Sequence, residues 1–292
     1  MIGIDWGSSN FRAYRIAADG AVLERREADS GIAGLQRTDY PAVLQQRIGD
    51  WLAVDSGPVL LSGMVGSRQG WREAAYVACP AGLADLAAAL CTVEIGKERV
   101  GHIVPGLSCR DADGVPDVMR GEEIQLFGLD LPVSTVMAIL PGTHSKHVRM
   151  LDGRVAGFST MMTGEIYALL SNHGLIAAML PQEPSDFDEA GFHAGVLASG
   201  QPGGLLHHLF GVRSRRLFGE LTITAAPDFL SGLLVGHELR GTEWRGELQI
   251  IAGQNLAKRY LKACGWLGIP AAIAPEDAAA RGLYRLSRLL PG

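Results

Sequence analysis

The chain has 292 residues, of which 31 are acidic and 26 basic, so its formal net charge is −5, and 47% of the residues are hydrophobic. This composition is typical of a soluble globular enzyme with a substantial core. Nucleic acids and anionic membranes are bound by clustered lysines and arginines, and no long basic run occurs here. We therefore expect neither as a partner, and no stretch approaches the roughly 18 apolar residues that span a bilayer.

The cysteines and the first residues bear on the cellular compartment. Cys79, Cys91, Cys109 and Cys264 form neither a CxxC pair nor a cluster with histidines, so a zinc site has no support. Free thiols are what a reducing compartment would give. The chain opens with MIGIDWGSSN instead of a basic segment followed by an apolar leader. The sequence therefore predicts a cytoplasmic protein.

In the first half of the chain, short strands alternate with glycine-rich turns. The predicted strands are residues 1–5, 11–16, 21–26, 58–61 and 101–104, and the predicted helices are residues 40–54 and 84–90. Apolar residues at helical spacing, Leu44, Ile48 and Trp51, carry the first helix. The Asp19-Gly20 pair predicts a hairpin turn between the second and third strands.

The second half begins with the same pattern. The predicted strands are residues 136–140, 147–151, 154–158 and 247–252, the predicted helices are residues 124–129, 164–173, 229–239, 256–263 and 276–289, and residues 182–218 are expected to be irregular. The unit of strand, small-residue turn, strand, Asp-Gly turn and strand thus occurs twice. This repeat favours two similar α/β domains with a ligand-binding cleft between them.

The first small-residue turn has the chemistry of a phosphate site. Asp5 ends an apolar strand, and Gly7, Ser8, Ser9 and Asn10 follow it. Glycine allows a phosphate to approach the backbone, and the other three offer hydroxyl, amide and backbone donors. Asp5 is a candidate ligand for a hydrated Mg²⁺, which prefers one or two carboxylates together with phosphates and waters. The alternative is a plain β-turn with an exposed aspartate.

The corresponding turn of the second half offers a second phosphate site. Its residues are Gly142, Thr143, His144, Ser145 and Lys146. Two such turns, one in each repeat, predict that a triphosphate is bound from both sides, although each alone is also compatible with an ordinary hairpin. The sequence contains neither a GxxxxGK[ST] loop nor a GxGxxG fingerprint, which argues against P-loop and dinucleotide-binding proteins.

Five long blocks resemble one enzyme family. They are DWGSSNFRAY at 5–14, SGMVGSRQGWREAAYVACPA at 62–81, PDVMRGEEIQ at 116–125, LPGTHSKHV at 140–148 and MTGEIYALL at 162–170. They closely resemble the 2-keto-3-deoxygalactonokinases, within the superfamily of sugar kinases, actin and heat-shock-protein ATPases. The resemblance covers nearly the whole chain and is weaker around 182–225.

The resemblance implies a two-lobed actin-like (ribonuclease H-like) α/β fold, in which each lobe is a mixed sheet flanked by helices and the active site lies in the interlobe cleft. It implies an N-terminal lobe over 1–118, completed by a C-terminal helix at 276–292, and a nucleotide-binding lobe over 119–275. The implied reaction is ATP- and Mg²⁺-dependent phosphorylation of 2-dehydro-3-deoxy-D-galactonate at its C6 hydroxyl, in D-galactonate breakdown. The expected partners are this sugar acid and ATP, and a homodimer is considered as the assembly.

Phosphoryl transfer to an alcohol needs a carboxylate that accepts the hydroxyl proton. Glu122 and Glu123 follow Gly121 at a predicted helix start, about 20 residues before the second phosphate turn. This resembles related carbohydrate kinases, in which an aspartate occupies that position. The glutamate leaves Glu122, Glu123 and nearby Asp117 as candidates, and we favour Glu122. The alternative is that acids at a helix start only complement the helix dipole.

Arginine suits the carboxylate of a keto acid because its planar fork binds carboxylates through two hydrogen bonds. The candidate substrate-binding residues are Arg12, Ser67, Arg68, Gln69, Arg72 and Arg120, which lie within or beside the blocks above. Any one of these arginines could instead be a solvated surface cation.

The stretch Gly253-Gln254-Asn255 lies between a predicted strand and a predicted helix. It resembles the adenosine motif of the superfamily, although strand–glycine–helix junctions are common. Two other functions are considered: a kinase of another sugar acid or keto sugar, and a non-catalytic nucleotide sensor. The block at 62–71 argues against the first, and the acidic pair at 122–123 argues against the second.

Overall fold

The computed structural model describes residues 1–96, 99–130, 136–183 and 185–290. The chain divides into two compact units. The first unit is Met1–Thr135, Val148–Ser159 and Ala274–Gly292, and the second is Val136–His147 and Thr160–Ile273. The lobe boundaries at 118 and 275 that the family resemblance implies stay a prediction.

The first unit contains a six-stranded and a three-stranded sheet. Its named strands are β1 (Ile2–Trp6), β2 (Phe11–Ile16), β3 (Val22–Ala28), β4 (Val59–Ser62), β5 (Tyr76–Ala78), β6 (Cys91–Gly96), β7 (Arg99–Ile103), β8 (Gly106–Arg110) and β9 (Pro116–Met119). The large sheet has the order β3-β2-β1-β4-β7-β6, and the small sheet has the order β5-β8-β9. Because β1 is antiparallel to β2 and parallel to β4, Asp5 has Arg12 on one side and Ser62 on the other.

The helices of the first unit are α1 (Tyr40–Val54), α2 (Leu83–Ala88), α3 (Glu122–Phe127) and α10 (Ala278–Ser287). The helix predicted at 40–54 is confirmed at both ends, and its apolar face is buried in the core with β1 and β4. Helices α3 and α10 pack backbone to backbone, since a Cβ at Gly282 would overlap the carbonyl oxygen of Ile124. This contact fixes the position of α3, which carries the predicted base.

A five-stranded sheet is associated with the second half of the chain. Its strands are β10 (Val136–Leu140), β11 (Ser145–Leu151), β12 (Arg154–Met161), β13 (Leu248–Ile250) and β14 (Ala271–Ile273), in the order β12-β11-β10-β13-β14. Strands β10, β13 and β14 run parallel. The helices of the second unit are α4 (Thr163–Asn172), α5 (Gly174–Ala177), α6 (Glu189–Ala198), α7 (Gly204–Leu217), α8 (Ala226–Arg240) and α9 (Gln254–Leu267).

The prediction of irregular structure over 182–218 is wrong, because α6 and α7 lie there. Glycines in α6 look like helix breakers in the sequence, but they serve helix packing. A Cβ at Gly195 would overlap the carbonyl oxygen of Phe229 on α8, and a Cβ at Gly232 on α8 would overlap that of Phe192. The two helices therefore touch through their backbones, and tertiary contact outweighs the low helix propensity of glycine.

Two further features bear on the class of protein. Within the described ranges, none of the helices combines the length and the apolar character needed to cross a membrane. The four cysteines are free thiols, with Cys264 buried and the other three half-buried.

Candidate active site

In the first unit, the carboxyl ends of β1 and β4 meet the start of α3. Gly63, directly after β4, has φ +92°, and a Cβ there would lie 2.8 Å from the Trp6 carbonyl oxygen and 3.3 Å from Asp5 Oδ1. Gly121, directly before α3, has φ +107°, and a Cβ there would lie 3.0 Å from the Cα of Gly63. These two glycines, in a backbone region that disfavours other residues, bring Glu122 towards Asp5.

Asp5 lies in an environment that disfavours its negative charge. Its side chain is 17% exposed, and the guanidinium of Arg12 lies 3.8 Å away. Burial raises the pKa of Asp5 to about 6, with Arg12 lowering it and the charge of Glu122 raising it. The negative charges of Asp5 and Glu122 repel each other, and a cation bound beside them would reduce this repulsion. Among the described residues, no cluster of three or more His, Cys, Asp or Glu could hold a metal ion.

The two glutamates at the start of α3 differ in their surroundings. Glu122 is half-buried, and its Oε2 accepts a hydrogen bond from the backbone N–H of Arg120 at 2.9 Å. Glu123 is fully buried, and its Oε2 accepts from the N–H of Gly121 at 2.6 Å. Burial raises the pKa of Glu123 to about 8, and the charge of Glu122 adds to the effect. Glu123 therefore holds a proton at neutral pH, which makes it a poor proton acceptor.

This proton gives a stability prediction for Glu123→Gln. The folded pKa of about 8 lies above the ordinary 4.5, so the wild-type protein loses stability as pH rises between these values, by up to about 1.4 kcal/mol per pH unit. The variant stays neutral. We expect the free energy of unfolding of the variant minus that of the wild type, both measured by urea titration, to increase with pH across this range. Above about pH 8 this difference should become constant. The exposed Glu243 provides the control, Glu243→Gln, and parallel curves for wild type and Glu123→Gln would contradict the assignment.

Asp117, the third candidate base, lies in β9 of the small sheet. Its Oδ1 accepts a hydrogen bond from the N–H of Val118 at 2.7 Å. Its register partner is Cys109 on β8, whose pKa is raised by burial and also by the charge of Asp117. Asp117 does not contribute to the pKa shifts of Asp5 and Glu123. These contacts place Asp117 in the small sheet. The charge of Glu122, by contrast, raises the pKa of both Asp5 and Glu123.

The predicted substrate-binding residues all belong to the first unit, but their side chains differ. Arg68 and Gln69 are exposed and Ser67 is buried. The guanidinium of Arg72 already donates to the carbonyl oxygen of Thr92 at 2.8 Å.

Arg120 is the buried arginine of this set. Its Nη2 donates to the Ala74 carbonyl oxygen at 2.7 Å, and its guanidinium lies 4.3 Å from the ring centre of Tyr76. Its Nε and Nη1 have no hydrogen-bond partner within the described part of the chain. Buried donors of this kind are costly unless a ligand or solvent satisfies them. Arg120 is therefore equipped to bind an anion.

The first predicted phosphate turn, residues 7–10, is a tight hairpin that a neighbouring segment contacts on one side. The N–H of Gly7 donates to the carbonyl oxygen of Asn10 at 2.9 Å, and residues 8–10 are exposed. The segment after β3 supports the turn: Ile32 N–H donates to the Gly7 carbonyl oxygen at 3.0 Å, and Ala33 N–H to that of Ser8 at 3.1 Å. A Cβ at Gly31 would overlap these same atoms.

The second predicted phosphate turn, residues 142–146, is contacted in the same manner by the start of α4. Glu165 N–H donates to the Thr143 carbonyl oxygen at 2.9 Å, and the Glu165 carboxylate lies 2.6 Å from His144 Nε2. A Cβ at Gly164 would overlap the Gly142 carbonyl oxygen, whereas a Cβ at Gly142 would meet nothing within 4 Å. The turn is thus fixed on one side and open at Gly142. Of the remaining predicted residues, Ser145 and Lys146 are buried.

The predicted adenosine motif lies where β13 leads into α9. Gly253 precedes the helix, with Gln254 and Asn255 as its first residues, and all three are exposed. A Cβ at Gly253 would meet nothing within 4 Å. Asn255 also lines a cavity of about 310 Å³ together with Phe187, Glu189, Lys258, Arg259 and Lys262. The guanidinium of Arg259 lies 4.3 Å from the ring centre of Phe187.

Sequence reasoning missed Gly31 and Gly164, which contact the two predicted phosphate turns. Neither lies in a recognisable turn motif, and both are needed because a neighbouring backbone comes close. The sequence could have indicated Gly164, because this glycine opens a predicted helix in the block at 162–170, which follows the second turn. For Gly31, the sequence offers only a small residue after a strand.

Comparison with known proteins gives one consistent result. The model of the family described as 2-keto-3-deoxy-galactonokinase matches residues 5–286. The 2-dehydro-3-deoxygalactonokinase of Escherichia coli (strain K12) is 36% identical over 287 residues, covering 95% of this chain and 94% of that protein. A Rhizobium meliloti (strain 1021) protein that carries the same enzyme name is 37% identical over 82% of this chain and 78% of its own length.

Solved structures agree with these relatives. A crystal structure from Sinorhizobium meliloti that carries the name of a 2-dehydro-3-deoxygalactonokinase protein has a TM-score of 0.87 and 33% identity, covering 98% of both chains. The activator of 2-hydroxyisocaproyl-CoA dehydratase from Clostridium difficile, solved with bound ADPNP, has a TM-score of 0.50 at 13% identity, which shows a shared fold only. With the mixed sheets and flanking helices described above, these structures confirm the predicted fold class.

Proposed function

Since the chain belongs to the 2-keto-3-deoxy-galactonokinase family, we propose that it transfers the γ-phosphoryl group of ATP to the C6 hydroxyl of 2-dehydro-3-deoxy-D-galactonate. The observation that carries the proposal is the match along nearly the whole length of both this chain and the Escherichia coli enzyme. The product would be 2-dehydro-3-deoxy-6-phospho-D-galactonate. The cytoplasm is the proposed location, and the homodimer stays a prediction.

The carboxylates of the first unit suit the proton and metal requirements of this reaction. We propose Glu122 as the base that accepts the proton of the C6 hydroxyl, because it is half-buried, opens α3 and acts electrostatically on Asp5. Asp5 would hold a hydrated Mg²⁺, which neutralises phosphate charge when bound. The buried, protonated Glu123 supports the start of α3 through its hydrogen bond to Gly121.

The remaining predicted residues are proposed to bind and orient the two substrates. Phosphoryl transfer depends mainly on positioning and electrostatic stabilisation, which backbone N–H groups and small side chains of residues 7–10 and 142–146 can supply. Residues 253–255 are proposed to bind the adenosine of ATP. The carboxylate and keto group of the acceptor are assigned to Arg68, assisted by Arg12, Arg72 and Arg120.

The test is a panel of sugar acids and keto sugars, each incubated with the enzyme, ATP and Mg²⁺, with mass detection of the phosphorylated product. We expect phosphate on 2-dehydro-3-deoxy-D-galactonate, with the highest kcat/KM of the panel. A higher value for another acceptor would assign the enzyme to that acceptor. ATP hydrolysis or binding without any phosphorylated acceptor would favour a nucleotide sensor.

A further inference from the structure

A buried glutamate of the second unit adjoins the strand that leaves the second phosphate turn. Glu238 lies near the end of α8, and its side chain is only 1% exposed. Its Oε1 lies 2.9 Å from Nε2 of His147 on β11, and its Oε2 accepts a hydrogen bond from the hydroxyl of Tyr260 on α9 at 2.6 Å. The other ring nitrogen of His147 lies 2.7 Å from Oγ1 of Thr242. Both carboxylate oxygens and both ring nitrogens thus have partners.

The surroundings of Glu238 stabilise its negative charge. Burial alone would raise the pKa, but the hydrogen bond and charge of His147, followed by the hydroxyls of Ser145 and Thr163, lower it below its usual range. Ser145 has no partner of full hydrogen-bond geometry among the described residues, yet its hydroxyl lies close enough to contribute. A buried carboxylate is costly without such partners, and removing it would leave their donors unsatisfied.

These partners come from the segments that the proposed function assigns to ATP. Ser145 is part of the second phosphate turn, and His147 follows it directly. Thr163 opens α4, whose next residues hold that turn. Tyr260 lies on α9, the helix that begins with Gln254 and Asn255 of the adenosine motif. One carboxylate therefore joins the turn, its supporting helix and the helix of the adenosine motif.

We propose that Glu238 is a positioning residue for ATP, which sets the second phosphate turn relative to α4 and α9 without touching the nucleotide. This inference rests on the proposed function, because it assumes that residues 142–146 bind phosphate. Replacing the carboxylate by an amide places an N–H donor against either the Tyr260 hydroxyl or Nε2 of His147, so at least one of these two groups can no longer donate to residue 238. The turn would then lose its fixed position, and the affinity for nucleotides that carry a β- and γ-phosphate would fall.

The test compares ATP with AMP, which lacks those two phosphates. For Glu238→Gln we expect the KM for ATP to rise about 10- to 100-fold, the range seen when an outer-shell partner of a metal ligand is lost, since Glu238 supports the phosphate turn in the same indirect way. The inhibition constant of AMP should change far less. Tyr260→Phe removes only the hydroxyl and leaves the Glu238 carboxylate in place, so it should show the same pattern with a smaller rise in the KM for ATP. If Glu238→Gln does not fold, Tyr260→Phe is the variant that tests the inference. Glu243→Gln, at a 90% exposed glutamate of the same unit, is the control.

If Glu238 has a purely structural role, Glu238→Gln should lower thermal stability and leave the KM for ATP and the inhibition constant of AMP unchanged, or weaken the binding of both nucleotides equally. Either result overturns the inference. Gly142→Val separates this failure from failure of the proposed function. Since a Cβ at Gly142 meets nothing within 4 Å, the fold should tolerate the change. Unchanged ATP binding in Gly142→Val would refute the phosphate turn itself. Weaker ATP binding there, with normal binding in both network variants, would refute only the role of Glu238.

Discussion

Replacing Glu122 by glutamine should lower kcat by about 10²- to 10⁴-fold, the usual contribution of a general base, while ATP affinity stays nearly unchanged. Glutamine keeps the shape of the side chain and can still accept the hydrogen bond from Arg120 N–H, but it cannot take up a proton as a carboxylate does. Some activity should remain, because positioning and electrostatics supply most of the rate enhancement in phosphoryl transfer. The measurement is steady-state kinetics with the sugar acid varied at saturating ATP.

Two matched variants decide whether Glu122 is the base. Glu123→Gln should keep near-normal kcat at neutral pH, because Glu123 is already protonated there. Asp117→Asn should also stay active, because Asp117 lies in β9 and its carboxylate accepts a hydrogen bond from the backbone N–H of Val118. If Glu122→Gln keeps normal turnover and one of these variants loses it, the base is that residue. If all three remain active, no carboxylate of this group is the base.

The repeated hairpins were predictable because their signals are local. Apolar runs bounded by Gly, Asp and Asn define β1, β2 and β10 within one residue of their observed ends. Strands β5, β6, β8, β9 and β14 were not predicted. Apart from the six-residue β6, they have three to five residues each, which are too few positions to show an alternating pattern. β5 pairs with β8, and β14 with β13, across longer stretches of chain, whereas β8 and β9 pair across the short turn at 111–115.

The main error in the fold has one physical cause. Glycines at close backbone contacts resemble glycines at turns when only the sequence is known. Gly195 and Gly232 permit the contact between α6 and α8, yet in the sequence Gly195 argues against a helix. Tertiary packing of this kind supplies most helical stability in proteins and is not encoded in a local window.

The candidate site was predicted to the level of segments, and burial supplied what the sequence could not. The acidic pair at 122–123 was located by its place after Gly121, but nothing in the sequence distinguishes the half-buried Glu122 from the fully buried Glu123. The buried network around Glu238 was also missed. Its members are separated by 91 residues between His147 and Glu238 and by 22 between Glu238 and Tyr260.

The second large effect is expected for Arg68→Ala, which should raise the KM for the keto acid far more than the KM for ATP. Losing a charge-assisted contact that the bound substrate buries costs about 2–5 kcal/mol at an interface, which corresponds to a rise of about 30- to 4,000-fold. Arg68 is the first choice because its side chain is exposed in the loop after β4, whereas the guanidinium of Arg72 is bound to Thr92. The measurement is the KM of each substrate at saturation of the other.

Arg72→Ala is the matched control, since it removes the same charge from the same loop. We expect a smaller rise in the KM for the keto acid, because Arg72 would first have to leave its bond to the Thr92 carbonyl oxygen. Reduced versions of the substrate that lack the carboxylate add a second comparison. If Arg68 binds that carboxylate, Arg68→Ala should no longer discriminate between acid and alcohol, whereas the wild type should. Equal increases in KM for ATP and for the keto acid would instead mean that Arg68 supports the loop and does not contact the acceptor.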